Sequence, residues 1–283
     1  MPESGDLRTQ VKSWLEHQGY PLEMEVASVF LNAGFATSQS VFYADPQEGT
    51  PREIDVVATQ IRAFKQSTLS VTFMVECKRS VDRPWVALST HALQPDARRT
   101  LMWRVASEYG AEFLVRASRR SDVRELALLA GARRPAYGLT EALKERKDSA
   151  DASYTAVMSV AKAAHSRAAE MRRLLHGDDA SSAIVFPVVV VDGPLFEFRL
   201  QPSGERELDP VDRATLFWRH PGVGGPLTVI DIVTRSGLSA FVEDASAAVA
   251  CLLSCHEEVA EVEDLWAKRQ VQQTRRRVHP DPT

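Results

Sequence analysis

The chain of 283 residues carries 34 Lys+Arg against 38 Asp+Glu, a formal net charge of −4, and is 25% charged and 44% hydrophobic. Those proportions exclude a disordered, collagenous or disulfide-stapled polypeptide and leave enough apolar material for a core. They also exclude a histone-like binder whose affinity comes from overall positive charge, so any nucleic-acid contact has to be local.

No window approaches the ~18 to 20 apolar residues of a membrane span; the longest apolar run is Ile184 to Val191. The opening MPESGDLRTQ lacks the basic and apolar regions of a signal peptide, so a cytoplasmic location is expected. Cys77, Cys251 and Cys255 form no disulfide framework. Cys251 and Cys255, four apart in an apolar helical stretch, read as packing rather than half of a zinc site.

Residues 7–18 and 21–33 read as two helices, the second marked by Leu22, Val26, Val29, Phe30 and Ala33 and closed by Gly34. Strand-like runs follow at about 37–44, 53–63 and 69–78, broken by the turn cluster Asp45-Pro46-Gln47-Glu48-Gly49. From about 80 to 150 the signal is weaker and more helical, interrupted by Pro84, Pro95 and Pro135, and reads as an inserted helical segment. Residues 153–176 make a strong helix, and IVFPVVVV at 184–191, bounded by Asp192-Gly193-Pro194, is what a strand buried on both faces looks like. Further strands at about 195–200 and 227–233, a helix at about 241–266 and a frayed basic tail from Val271 complete an expected single α/β domain over 1–270. Gly222-Val223-Gly224-Gly225 lacks the strand-to-helix context of a dinucleotide fingerprint.

Chemistry concentrates in Arg52-Glu53-Ile54-Asp55-Val56-Val57-Ala58 and Val75-Glu76-Cys77-Lys78. Val71, Phe73, Val75 and Cys77 share one strand face, so Glu76 and Lys78 project together from the other, and Ile54 and Val56 alternate with Asp55 in the same way. A hairpin turning near Lys65-Gln66 places Asp55 directly across from Glu76. Two carboxylates side by side on an apolar sheet repel and are costly to desolvate, which calls for a cation. Hard oxygens with open coordination positions suit Mg²⁺, and a neighbouring lysine can orient or deprotonate the attacking water. The bland alternative is a solvated ion-pair face on an edge strand.

These residues resemble the PD-(D/E)xK nuclease superfamily, the restriction-endonuclease-like fold, with Asp55 as the motif aspartate and Glu76-Cys77-Lys78 as its E-x-K half. The family order of helix, three strands, helix, strand is similar to the order read here once 80–150 is set aside. Its Mrr-type and resolvase-like branches carry a glutamate on the first helix, which falls on Glu23, with Glu25 the close alternative. The motif proline is absent, since Glu53-Ile54 precedes Asp55. The resemblance implies a Mg²⁺-dependent deoxyribonuclease, with Mn²⁺ as substitute, cutting internally: Asp55 and Glu76 as metal ligands, Lys78 activating water, Glu23 adding or positioning a ligand. The alternative is a non-cleaving nucleic-acid-binding or scaffold module on the same fold. A homodimer is a further expectation from the resemblance, although no segment declares an interface.

Nucleic-acid contacts are sought in the nine arginines between Arg98 and Arg134, which face four acids there. Arg98, Arg99, Arg119 and Arg120 are the candidates, against a reading as helix-surface salt bridges such as Glu108 with Arg104. Ser159, Lys162 and Arg167 on the long helix are weighed as phosphate contacts against simple solvation, and Trp85 as a base-stacking group against packing.

Overall fold

The computed structural model describes residues 4–16, 18–90, 96–130, 134–143, 151–174, 181–219 and 227–278. Helix α1 (Ser4–Glu16) leads into α2 (Tyr20–Asn32), which carries Pro21 in its first turn and ends at Gly34 with φ +84. Strands β1 (Ala36–Ala44), β2 (Pro51–Ala63) and β3 (Thr68–Arg79) form an antiparallel meander. The β1–β2 turn is held by Asp45, whose Oδ1 accepts from the Gln47 and Glu48 amides, with Gly49 at φ +70.

The next stretch departs from an inserted helical segment. It does hold helices α3 (Ala97–Met102), α4 (Glu108–Ala117), α5 (Ser121–Glu125) and α6 (Ala127–Ala130). It also supplies β4 (Trp85–Ser89), β5 (Val105–Ala106) and β6 (Ala136–Glu141) to the same sheet. Trp85 is fully buried and its indole N–H donates to Ser80 Oγ, so it packs.

The long helix α7 (Ala152–Leu174) precedes β7 (Ser182–Asp192), which runs parallel between β3 and β11 (Thr228–Thr234). Pro187 sits in the step between the β5 partners at 184–185 and the β11 partners at 188–191, where an absent N–H leaves no ladder bond open. Gly193 follows because a Cβ there would lie 2.2 Å from the Ser80 carbonyl oxygen. Strands β8 (Leu195–Leu200), β9 (Arg206–Pro210) and β10 (Arg213–Trp218) extend a mixed sheet of order β1-β2-β3-β7-β11-β10-β6-β4-β8-β9, with β5 pairing β7. The single helix expected at 241–266 is two, α8 (Leu238–Leu253) and α9 (His256–Val278), and the chain is still helical well past Val271. Gly222 to Gly225 lie outside the described residues. The cysteines are free, with Cys255 buried in the core.

The sheet is covered on both faces. On one, Val56, Phe73, Val75 and Cys77 pack with α2, α4 and α8 through Phe30, Phe113 and Phe241. On the other, Ile54, Val57 and Met74 pack with α7 through Ala156, Val160, Ala161 and Ala164. The small residues let α7 approach closely, which brings its polar positions to the sheet. Among the described residues no single helix is long and apolar enough to cross a membrane.

Candidate functional site

The β2–β3 ladder runs from Ala63–Thr68 to Val56–Val75, the register that sets Asp55 opposite Glu76. There the two strands part. Asp55 Oδ2 accepts the Cys77 amide at 2.6 Å, so a carboxylate takes the place of a ladder carbonyl. Regular alternation past Asp55 does not occur: Ile54 packs on the α7 side, while Val56 packs on the α2 side. Across the β1–β2 ladder the pairs Gln39–Val56 and Val41–Ile54 flank Ser40 and Asp55, and Ser40 has φ +51. The left-handed backbone at Ser40 lies directly across from Asp55, at the reversal in β2.

Glu76 is 5% exposed and faces α7. Its Oε1 is 2.7 Å from Lys78 Nζ, and its Oε2 accepts the Ser159 hydroxyl at 2.8 Å. Tyr43 in turn donates its hydroxyl to the Ser159 carbonyl at 3.2 Å. Ser159 therefore contacts the candidate site itself, which its helical position alone did not reveal.

Burial, and then the charge of Glu76, push the Asp55 carboxyl up to about 7 against the opposing Cys77 amide. Burial and neighbouring Glu53 and Glu76 also raise Glu23, with Lys78 opposing, so the α2 glutamate belongs to the same electrostatic cluster. Burial works against the Lys78 charge, but Glu76 and Asp55 outweigh it and hold the ammonium above its ordinary pKa. Burial pushes the Cys77 thiol up, away from any nucleophilic role. Glu25, the alternative to Glu23, pairs instead with Arg235.

Hard oxygen donors, a carboxyl that binds a proton near neutrality, and Asp55 Oδ1 without a hydrogen-bond partner among the described residues fit a divalent cation at Asp55 and Glu76. Among the described residues no three His, Cys, Asp or Glu side chains already cluster as a metal centre, so Glu23 is near the pair without completing a triad.

The arginine-rich stretch is distributed differently from a phosphate-binding surface. Arg104 is fully buried and pairs with Asp231 at 2.9 Å, while Glu108 pairs with Arg269, correcting the expected Glu108–Arg104 bridge. Arg119 pairs with Glu261, and Arg120 with Asp122 and Glu258, tying α4 and α5 to α9. These helices cover the sheet face opposite to the one that Glu76 and Lys78 address. Arg98 and Arg99 are exposed on α3. Lys162 is bound to Asp45 at 2.8 Å, and Arg167 to Glu170 at 3.0 Å.

No protein-family model matches the chain, and neither a curated protein nor a solved structure matches it significantly.

Proposed function

We propose that the chain is a divalent-metal-dependent nuclease, hydrolysing phosphodiester bonds of DNA on a restriction-endonuclease-like core. One observation carries this reading: at the open end of the β2–β3 ladder a half-buried, proton-hungry Asp55 stands beside Glu76, and Lys78 is bonded to Glu76. The element order α2, β1 to β3, α7, β7 supports the same core.

Asp55 and Glu76 would hold Mg²⁺, which when bound supplies polarisation of a phosphoryl oxygen. Ser159 and the Cys77 amide keep the two carboxylates oriented. Lys78, held charged, is a hydrogen-bond donor to water or to the phosphoryl group rather than a base. Glu23, bearing a raised pKa, would accept a proton or steady a metal-bound ligand.

The test incubates linear, circular and single-stranded DNA with the protein in Mg²⁺ or chelator, beside Lys78→Ala. Cleavage that requires Mg²⁺ and falls by about 10²-fold or more in the variant is the expected result. A folded Lys78→Ala protein cutting at the parental rate overturns the proposal.

A second reading, a non-cleaving nucleic-acid-binding or scaffold module, draws on Glu76, each of whose oxygens already has one protein partner, Lys78 and Ser159. Its expectation is binding without turnover in the same assay.

A further inference from the structure

Helix α1 places Leu7, Val11, Trp14 and Leu15 on one stripe of a 3.6-residue period, the pattern of a helix that faces a core. No core lies against it. Every side chain from Asp6 to Glu16 is exposed, Leu7 at 58% and Trp14 at 56%. The sheet is covered instead by α2, which follows after residues 17–19 and buries Leu22, Val26, Ala27 and Phe30. Polar bonds within α1, from Gln10 to Asp6 at 2.8 Å and from Lys12 to Glu16 at 3.9 Å, are exposed pairs that add little. A helix of 13 residues is marginal by itself in water, so α1 calls for a surface that buries its stripe.

Three further apolar side chains, Tyr20, Met24 and Leu31, recur on the outer face of α2 and are more than half exposed. Together the seven offer roughly 700 Å² per copy, close to the ~800 Å² that each partner contributes to an interface of standard size. About half of it comes from α1. The charges select the occupant. Between Asp6 and Glu16 the ionised side chains are Asp6, Arg8, Lys12 and Glu16, two of each sign. A helix that lies on a membrane carries a polar face rich in lysine and arginine for anionic headgroups, which this one lacks. A balanced face meets its own copy without the repulsion that a face of one sign would suffer. The stripe is also self-complementary: Leu7 and Leu15 are equally distant from Val11, so a two-fold axis there sets Leu7 of each copy against Leu15 of the other.

We infer that the chain forms a homodimer through α1, the two copies of the helix packing antiparallel about a two-fold near Val11, with Tyr20 and Met24 at the margin. Asp55, Glu76 and Lys78 have no part in this contact, so it stands or falls separately from the nuclease reading.

The experiment is sedimentation equilibrium of the full chain in chelator, from about 1 to 100 μM. The expected mass is twice the 31.4 kDa of one chain. Leu7→Glu/Val11→Glu should raise the dissociation constant about tenfold or more, with the urea midpoint of the monomer retained. Cross-linking tests the axis without disturbing the stripe by a charge. Val11→Cys should give a covalent dimer under mild oxidation, whereas Thr9→Cys, on the opposite side of the helix, and the parent should not. A parent that stays monomeric throughout the range, whether or not it binds anionic lipid vesicles, overturns the inference. A dimer that survives Leu7→Glu/Val11→Glu unweakened, or Thr9→Cys cross-linking as well as Val11→Cys, overturns it too.

Discussion

Ser40 and Asp55 face each other across β1 and β2 at the step where both strands exchange the faces they address. On one side of that step Val41 and Ile54 pack toward α7; on the other, Val56 packs toward α2. A regular pair of strands would have carried Asp55 fully to one face. The left-handed Ser40, at φ +51, lets the ladder continue on both sides while the Asp55 carboxylate swings to the Cys77 amide. Backbone strain next to candidate chemistry is the pattern expected where geometry is held by the surrounding fold.

Ser40→Gly should therefore be tolerated or stabilising by up to about 1 kcal/mol, since glycine adopts positive φ without Cβ conflict. Ser40→Val, β-branched and ill suited to that region, should destabilise by about 1 to 3 kcal/mol and weaken divalent-cation binding. Urea unfolding and calorimetric Mg²⁺ titration measure both. A Ser40→Val protein that binds Mg²⁺ as the parent does would separate Ser40 from the placement of Asp55.

Asp55 also gives a pH signature. Its folded pKa, about 7, lies above its ordinary 3.8, so the folded state holds this proton more tightly than the unfolded chain. The associated stability is full below pH about 4 and is lost as pH rises through about 7. Other carboxylates, Asp45 and Asp231 among them, are shifted down and slope the opposite way, so the informative quantity is a difference between proteins. Asp55→Asn should lack this loss, melt higher than the metal-free parent at pH 8, and gain less from added Mg²⁺. Thermal melts of both proteins from pH 5 to 8 test it, and identical parent and variant slopes would contradict the assignment of Asp55.

Cleavage itself should rise as pH passes through about 7, because only ionised Asp55 can bind metal. Lys78, held charged above its ordinary range, should impose no alkaline fall before Mg²⁺ hydroxide intervenes. A rate profile flat from pH 5.5 to 8.5 at limiting Mg²⁺, where proton and metal compete for the carboxylate, argues against Asp55 as a ligand.

The meander and the α7–β7 unit were legible because their signals are long: β-branched and aromatic runs over strands of nine to thirteen residues in β1 to β3 and an unbroken apolar run in β7. Asp55, Glu76 and Lys78 came with them, since hairpin register follows from turn position. The runs at 195–200 and 227–233 likewise marked β8 and β11, whereas β4, β5, β6, β9 and β10 escaped for physical reasons. β4 and β6 are five and six residues long and find partners far away in sequence. β9 reads Arg-Glu-Leu-Asp-Pro and is secured by Arg199 on Glu207 and Asp209, so no hydrophobic period marks it. The reversal at Ser40 depends on a backbone angle that serine does not advertise. Tyr43 and the Cys77 amide entered the site only through tertiary contacts.

The buried ion cluster on β11 is a separate point of vulnerability. Asp231, fully buried, accepts from Arg104 at 2.9 Å, from Arg213 at 2.9 Å and from Thr215 at 3.1 Å. Neutralising it leaves Arg104, also buried, without its counter-ion. Asp231→Asn should cost about 3 to 5 kcal/mol, read as a lower urea midpoint, because breaking one partner of a buried pair strands the other. A loss within about 0.5 kcal/mol, the range typical of surface substitutions, would show that Arg104 is neutralised elsewhere.

Arg119 and Arg120 distinguish sequence clustering from surface function. Both are committed to acids, Arg119 to Glu261 and Arg120 to Asp122 and Glu258, on the layer away from Glu76. The double variant Arg119→Ala/Arg120→Ala should leave nucleic-acid affinity and its salt slope unchanged. Exposed ion pairs contribute about 0 to 1 kcal/mol each, so stability should fall only slightly. If these arginines did contact phosphates, two released counterions would disappear from binding and the slope of log affinity against log salt would flatten by about 1.4 to 1.8. A salt titration of oligonucleotide binding in chelator decides between the two, and a flattened slope would return the arginine stretch to the nucleic-acid interface.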